Sequence, residues 1–577
     1  PIHRPAGAEQ PPHHLDTLLA RLYRHRGLDG PLEQRLGALH PLEQLRDIDT
    51  AAALLADHIQ TQRRLLIIGD YDADGATGTA VALLGLRALG AGPLDCLIPS
   101  RFTDGYGLSP AVVDAAAERQ PDLLITVDNG TASHAGLARA REHGLPVLIT
   151  DHHLPGAERP EAAAHVNPNQ PGCPFPSKHL AGVGVIFYLL IATRAELRRR
   201  GWFQTRAEPN LAELLDLVAL GTVADVVTLD ANNRILVEQG LRRIRAGHCR
   251  PGLRALLEIA GAQLARVSAR DLAFLAAPRL NAAGRLETMS AGIDCLIADQ
   301  PLEAMHHAQR LHVLNQERRA LTQRMSEEAE QLLARQQGLA HASPESAPQD
   351  GAHPRPTGLC LFAEDWHEGI IGILAARLRE RSHSPVVAFA PGGDGLLKGS
   401  ARSIEGLHLR DCLAAVDRDH PGLITRFGGH AMAAGLSLPR GALEAFRAAF
   451  AAAVDAALGP TATTPTLHSD GPLGANLLNL PTAEALRLAA PWGKGFAEPL
   501  FDGSFQISAP RLLKDRHLKL RVHPDQGPPL EAIGFNLAEQ HPRGATHAQL
   551  VYRLDVNDYR GLRSPQLIIE QLVPLSA

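Results

Sequence analysis

The 577-residue chain is short of aromatic residues, at 4%, and holds only three tryptophans, four methionines and six cysteines. The cysteines (Cys96, Cys173, Cys249, Cys295, Cys360, Cys412) stand singly with no CxxC pair, so neither a zinc ribbon nor a disulfide framework is expected. No apolar run approaches the roughly 18 to 20 residues that cross a bilayer, and no membrane segment is expected. Residues 1–16 lack a basic segment followed by an apolar stretch, so a secretory signal is not expected and a cytoplasmic protein is. A basic footprint is missing too. The 57 Lys and Arg stand against 62 Asp and Glu, and a net charge of −5 taken alone argues against a nucleic-acid partner. The stretch Asp74–Gly78 is rich in glycine but lacks the lysine of a P-loop, which excludes a nucleotide-driven motor.

The length exceeds what one hydrophobic core serves, and about three or four domains are expected. Residues 1–50 read as a helical lead-in that packs on the domain next in sequence. From 51 to 240, strand-length apolar runs (Leu65–Gly69, Leu94–Ile98, Leu123–Val127, Val147–Thr150) alternate with helix-sized segments (Gly78–Leu89, Pro110–Arg119, Ser133–His143). That alternation predicts a doubly wound parallel sheet with helices on both faces. Residues 241–340 read as a helical connector, whose last part from Pro301 would run about 55 Å at 1.5 Å per residue. The Pro- and Ser-rich stretch 341–357 reads as a linker, and 358–460 as a smaller α/β domain. Short strand-like pieces over 465–577, broken by Gly and Pro, suit a small β-barrel. The expected fold class is therefore α/β and multidomain.

In an open parallel sheet, ligands bind beyond the carboxyl ends of the strands. Asp70-Tyr71-Asp72-Ala73-Asp74-Gly75 follows the first apolar run, Asp128-Asn129-Gly130 the third, and Asp151-His152-His153 the fourth; Asp225 ends a later helical run. One Asp after a strand is ordinarily a helix cap. Four segments that bring six or more acids and two histidines to one sheet edge would repel strongly unless cations neutralised them. Carboxylate and imidazole donors without thiolates suit Mn²⁺ or Mg²⁺, two ions sharing one bridging carboxylate, and the reaction class is hydrolysis of a phosphate ester or anhydride.

DYDADG (70–75), VDNG (127–130), TDHH (150–153) and VADVV (223–227) resemble the successive motifs of the DHH phosphoesterase superfamily. SRFTDGYGL (100–108), PRLNAAGR (278–285), WHEGIIGI (366–373), KGSARS (398–403) and FGGHAMAAG (427–435) resemble its RecJ branch of 5′-to-3′ single-stranded-DNA exonucleases. The resemblance implies a DHH domain, a connector, a DHH-associated domain closing over the cleft and an oligonucleotide-binding barrel. It implies Asp72, Asp74, Asp128, His152 and Asp225 as metal ligands, with Asp128 the bridge. Asp70 is placed beside the metals, and His153 at the scissile phosphate or the leaving group. Where the pyrophosphatase branch has a histidine, this chain has Ile68, which favours the RecJ branch.

Polarity needs groups that hold a 5′ end. Arg279, Asn281 and Arg285, with Ser400, Arg402, Ser403, Gly429 and His430, are the candidates, since guanidinium groups bind phosphate bidentately. Arg101, Phe102 and Tyr106 share a polar loop suited to bases. Nine arginines lie between Leu241 and Arg285 against Glu258 and Asp271, a basic region compatible with a nucleic-acid track despite the net charge. The expected partners are single-stranded DNA, a single-stranded-DNA-binding protein and a helicase, for a chain acting as a monomer. The alternatives are a phosphodiesterase for short oligonucleotides or cyclic dinucleotides, whose relatives lack the barrel, and a catalytically inactive DHH scaffold.

Overall fold

The structure, a computed structural model, describes residues 2–5, 10–102, 104–105, 107–336, 358–458, 467–542, 544–559 and 561–575. The linker expected at 341–357 and Tyr106 lie outside the described residues. The chain divides into two compact units, one formed by 1–312 and 466–577, the other by 313–465.

In the first unit, strand β1 (Ile2–His3) and helix α1 (Leu15–His25) precede helix α2 (Ile48–Gln60). The sheet comprises β2 (Leu65–Ile68), β3 (Leu94–Leu97), β4 (Leu123–Val127), β5 (Val147–Thr150) and β6 (Ala164–Val166). Its order is β3-β2-β4-β5-β6 with every pair parallel, so it is a doubly wound sheet. The buried, β-branched and Leu-rich runs are what a sheet covered on both faces requires. On one face Leu66, Ile68, Leu124 and Ile149 pack with Val112, Val113 and Leu137 of the helices Pro110–Ala117 and His134–Glu142. Helix α3 (Ala73–Leu89) and the helix Gly182–Arg199 pack against each other and contact β4. The sequence pattern places the start of α3 at Gly78. It begins at Ala73 because the Asp72 carboxylate accepts from the Asp74 and Gly75 amides at 2.9 and 3.1 Å, capping the helix inside the acidic motif.

The second unit carries β7 (Leu359–Phe362), β8 (Val386–Pro391), β9 (Leu396–Arg402), β10 (Arg426–Gly429) and β11 (Ala433–Pro439), ordered β10-β11-β9-β8-β7. The helix Pro301–Gln336 contributes its first twelve residues to the first unit and the rest to the second, where Glu328 accepts from Trp366 Nε1 at 2.9 Å.

Strand β12 (Leu467–His468) pairs with β1. Beyond it, β13 (Phe501–Leu513), β14 (His517–His523), β15 (Leu530–Gly534), β16 (His547–Tyr559) and β17 (Leu562–Leu575) close a barrel in the order β13-β14-β15-β17-β16. Helix α1 of the N-terminal lead-in does not pack on the parallel sheet next in sequence. Leu18 and Leu22 of α1 are fully buried in the barrel's core beside Phe501 and Tyr552, and Arg26 pairs with Asp470 at 3.0 Å. The apolar stripe of α1 fits the barrel core, a complement so distant along the chain that local periodicity does not reveal it.

Candidate metal centre and nucleic-acid contacts

Strands β2 and β4 are neighbours although β3 separates them in sequence, so their carboxyl ends form the topological switch point where a doubly wound sheet opens a crevice. Asp70 follows β2, Asp128 follows β4, and Asp151, His152 and His153 follow β5. Asp225 ends the helix Leu215–Ala224. The ligand atoms of Asp70, Asp72 and Asp128 lie within 4.8 Å of one another, as do those of Asp128, His152 and His153, and those of Asp74, His152 and Asp225. All seven residues expected at the metals or the reacting phosphate are thus brought together, with Asp128 common to two of the three groups. Asp70 is as close to this constellation as the residues expected to be ligands.

His152 Nε2 stands 3.0 Å from Asp128, 3.5 Å from Asp225 and 3.9 Å from Asp74, while its ring bonds to the Leu180 backbone. A metal-binding histidine typically has this arrangement, one nitrogen fixed by a carbonyl and the other aimed at the site. The Asp74 oxygens accept from the Gly182 and Val183 amides at 2.6 and 2.9 Å, at the N-terminus of the helix Gly182–Arg199. A Cβ at Gly182 would lie 2.6 Å from Asp128, so only glycine admits that helix so close. Asp128 itself holds φ 64, in the left-handed region that Asp tolerates better than most residues.

Burial, and next the charge of Asp72, raise Asp70 to about 8 and Asp74 to about 7. Asp128 and Asp225 are pushed well up by burial and then by Asp74. Burial lowers His152 to about 4. These are carboxylates that cannot all ionise without a counter-charge. Asp70 Oδ1 is buried with no hydrogen-bond partner, and the donors are oxygen and nitrogen without sulfur, so the residues fit divalent cations of the Mn²⁺ or Mg²⁺ type.

Asp151, which the sequence counts among the acids of the sheet edge without a role of its own, is 1% exposed. It accepts from the His152 and Thr131 amides at 2.7 and 2.9 Å, and its Oδ1 lies 2.8 Å from His153 Nδ1. Burial opposes a charge on His153, but this bond and the Asp151 charge outweigh it and raise His153 to about 9. The one signal of this in the sequence is an aspartate immediately after a strand-length, largely apolar run.

The nucleic-acid candidates divide. Arg101 lies over the Tyr71 ring, 4.1 Å from its centroid, with Nε donating to the Gly284 carbonyl at 3.2 Å. Phe102 is half-buried and its amide donates to Ser100 Oγ at 3.2 Å. Arg285 is half-buried and its charge acts on Tyr71. Arg279 is 4% exposed, and its guanidinium is engaged by the Leu275 carbonyl at 2.5 Å and by His312 at 3.1 Å. Asn281 Oδ1 accepts from the Ala73 amide at 2.9 Å. A Cβ at Gly284 would lie 1.9 Å from the Tyr71 carbonyl. Asn281 and Gly284, three residues apart on one helix face, therefore seat the loop that carries the acids. Asn281 supports that loop, and the Arg279 guanidinium is buried beside His312.

In the second unit Ser400 and Arg402 alternate on one face of β9, with Arg402 Nη1 donating to Ser400 Oγ at 3.1 Å. Ser403 is fully buried and donates to the Leu407 carbonyl at 2.8 Å, so its hydroxyl is used internally. Gly429 ends β10 at φ 143, and the His430 amide donates to the Ala433 carbonyl at 2.8 Å, closing the hairpin to β11. The basic region also changes character. Arg242 and Arg245 meet Glu238 at 2.9 and 3.4 Å, and Arg270 meets Glu498 at 3.0 Å. Both acids lie outside the Leu241–Arg285 window that holds the arginines.

Three family models match the chain: the DHH family N-terminal domain over 64–222, the DHHA1 domain over 356–456 and the RecJ OB domain over 469–571. The single-stranded-DNA-specific exonuclease RecJ of Salmonella typhimurium is 50% identical over 571 residues, 98% of this chain and 97% of its own. That of Escherichia coli is 49% identical over 571 residues, again 98% and 97%. The crystal structure of RecJ from Thermus thermophilus in complex with Mn²⁺ superimposes with a TM-score of 0.76 at 30% identity, covering 98% of this chain and 77% of that one. Among the described residues no helix is long and apolar enough to cross a membrane.

Proposed function

Because the chain belongs to the RecJ family of single-stranded-DNA-specific exonucleases, we propose that it shortens single-stranded DNA from the 5′ end, releasing 5′ mononucleotides in repair and recombination. The observation that carries the reading is the cluster of Asp70, Asp72, Asp74, Asp128, His152 and Asp225 at the switch point of the sheet. These residues would hold Mn²⁺ or Mg²⁺, in two neighbouring positions that share Asp128. Such ions supply Lewis acidity toward a phosphoryl oxygen and activate water for in-line attack. The protein's own residues do the rest. Asp151 bonds His153 and turns it toward the cluster, where as an imidazolium it would bind a phosphate oxygen or give its proton to the departing 3′ oxygen as the P–O bond breaks.

Arg101, Arg279, Asn281 and Arg285 in the first unit, and Ser400, Arg402, Ser403, Gly429 and His430 in the second, are the groups we assign to DNA phosphates. Phe102 and Tyr106 are assigned to bases. The division into a lead-in (1–50), DHH domain (51–240), connector (241–340), linker (341–357), DHH-associated domain (358–460) and barrel (465–577) is retained, with α1 counted to the barrel by its packing. A helicase would supply single strands from duplex and a single-stranded-DNA-binding protein would coat them; we propose both as partners of a monomeric, cytoplasmic enzyme. The complete set of acids and histidines speaks against an inactive scaffold, and the barrel against an enzyme for short oligonucleotides.

The test is digestion of end-labelled 5′-phosphorylated single strands and duplexes in Mn²⁺. Single strands should shorten from the 5′ end, and Asp128→Ala should lose roughly a hundredfold or more in rate, the scale of losing metal activation of the attacking water. Equal attack from 3′ ends, or full activity in the variant, would reject the reading.

A further inference from the structure

Val226 follows Asp225 at φ 58, a left-handed conformation that a β-branched residue avoids, and it is 60% exposed. Phe274 sits in a π-helical turn, Leu272–Ala276, and is 64% exposed. Both irregularities carry a conformational cost, and such features concentrate at functional sites. Each turns an apolar side chain out of the core, and both side chains line one groove of about 450 Å³. The segment before the barrel, including Trp492 and Lys494, also lines it, fixed by a bond from the Leu229 amide to the Lys494 carbonyl at 2.8 Å. The groove therefore reaches from the residue after Asp225 to Asp555 of the barrel.

Its charges are uneven in use. Arg270 is paired with Glu498 at 3.0 Å and Arg487 with Asp271 at 2.9 Å. Lys494 and Asp555, both on the lining, form no ion pair within 4.0 Å among the described residues, and the Lys494 charge reaches Asp225. Arg270 lies over one side of the Phe274 ring, 5.7 Å from its centroid. A largely exposed ring and a lysine outside any ion pair, lining one groove next to a centre that handles phosphates, match a base joined to a phosphate.

We propose that this groove is a nucleotide subsite, in which Phe274 stacks on the base of one unpaired nucleotide and Lys494 holds its phosphate. The proposal rests on the exonuclease reading and deepens it by giving the strand a path from the metal centre toward the barrel.

Binding tests the groove separately from hydrolysis. The full chain is mixed, in Ca²⁺, with short 5′-phosphorylated oligothymidylates that carry one 2-aminopurine at successive positions from the 5′ end. At one interior position the fluorescence should fall on binding. Phe274→Ala should abolish that fall and weaken strand affinity about tenfold, and Phe274→Trp should restore both. Lys494→Ala should leave the stacking signal and lower the slope of log affinity on log salt by about 0.7. Unchanged affinity and an intact stacking signal in Phe274→Ala would overturn the subsite and leave the groove to a protein segment. Failure of the exonuclease reading looks different: the wild-type chain in Mn²⁺ would leave the strands uncut, whatever Phe274 does to binding.

Discussion

Asp70 and Asp74 illustrate what the site demands of single residues. Raised to about 8 and 7 by burial and by Asp72, they bind protons more tightly folded than unfolded. The stability this confers is complete below the ordinary aspartate value, about 4, and is lost as pH rises through the folded values of about 7 and about 8. In EDTA the wild-type Tm should therefore fall between about pH 5 and 8 relative to Asp70→Asn, and Mn²⁺ at about pH 8 should reverse the fall. Parallel Tm profiles for the two proteins would contradict this. The acids themselves are legible in the sequence, because most follow a strand-length apolar run. The role of Asp151 is not, since a buried acid acting through His153 declares itself only by its hydrogen bonds.

Among the elements, the helix Ala277–Leu286 shows how a motif can be recognised while its use is hidden. The two arginines of PRLNAAGR suggest a phosphate contact. The helix also docks beneath the acidic loop, with Asn281 on the Ala73 amide and Gly284 against the Tyr71 carbonyl. Gly284→Ala should push that loop outward, at a cost of about 1–3 kcal/mol in stability. Its signature is Mn²⁺ affinity about tenfold weaker by calorimetry, with the far-UV circular dichroism spectrum unchanged; wild-type affinity would refute the support role. Strand and helix positions are largely legible, since period and length are local properties. The early start of α3 is hidden because its cap is one of the motif's own acids.

Across the whole molecule, the N-terminal helix and the C-terminal barrel form one core. Leu22 is fully buried with Phe501 and Tyr552, and Arg4 pairs with Asp502. Leu22→Ala should cost about 2–5 kcal/mol, and the loss should appear in the barrel. Hydrogen exchange should show amides of 501–575 opening about a hundredfold faster, with the β2–β5 sheet unaffected. Unchanged protection in the barrel would show that α1 is dispensable to it.

The net charge also resolves at this scale. Several arginines that resemble a track for DNA are partnered within the fold, Arg270 by an acid 228 residues away. Lys494, which the sequence does not single out, lies near Asp225. By itself the sequence determined the parallel sheet, the order of its modules and the acids and histidines that gather at its switch point, because hydrophobic period and motif spacing are written along the chain. Only the tertiary structure decided which charges are available to a ligand and which are neutralised inside the fold. A charge is neutralised by whatever desolvated group comes within a few ångströms, and that neighbour is set by packing rather than by position in the sequence.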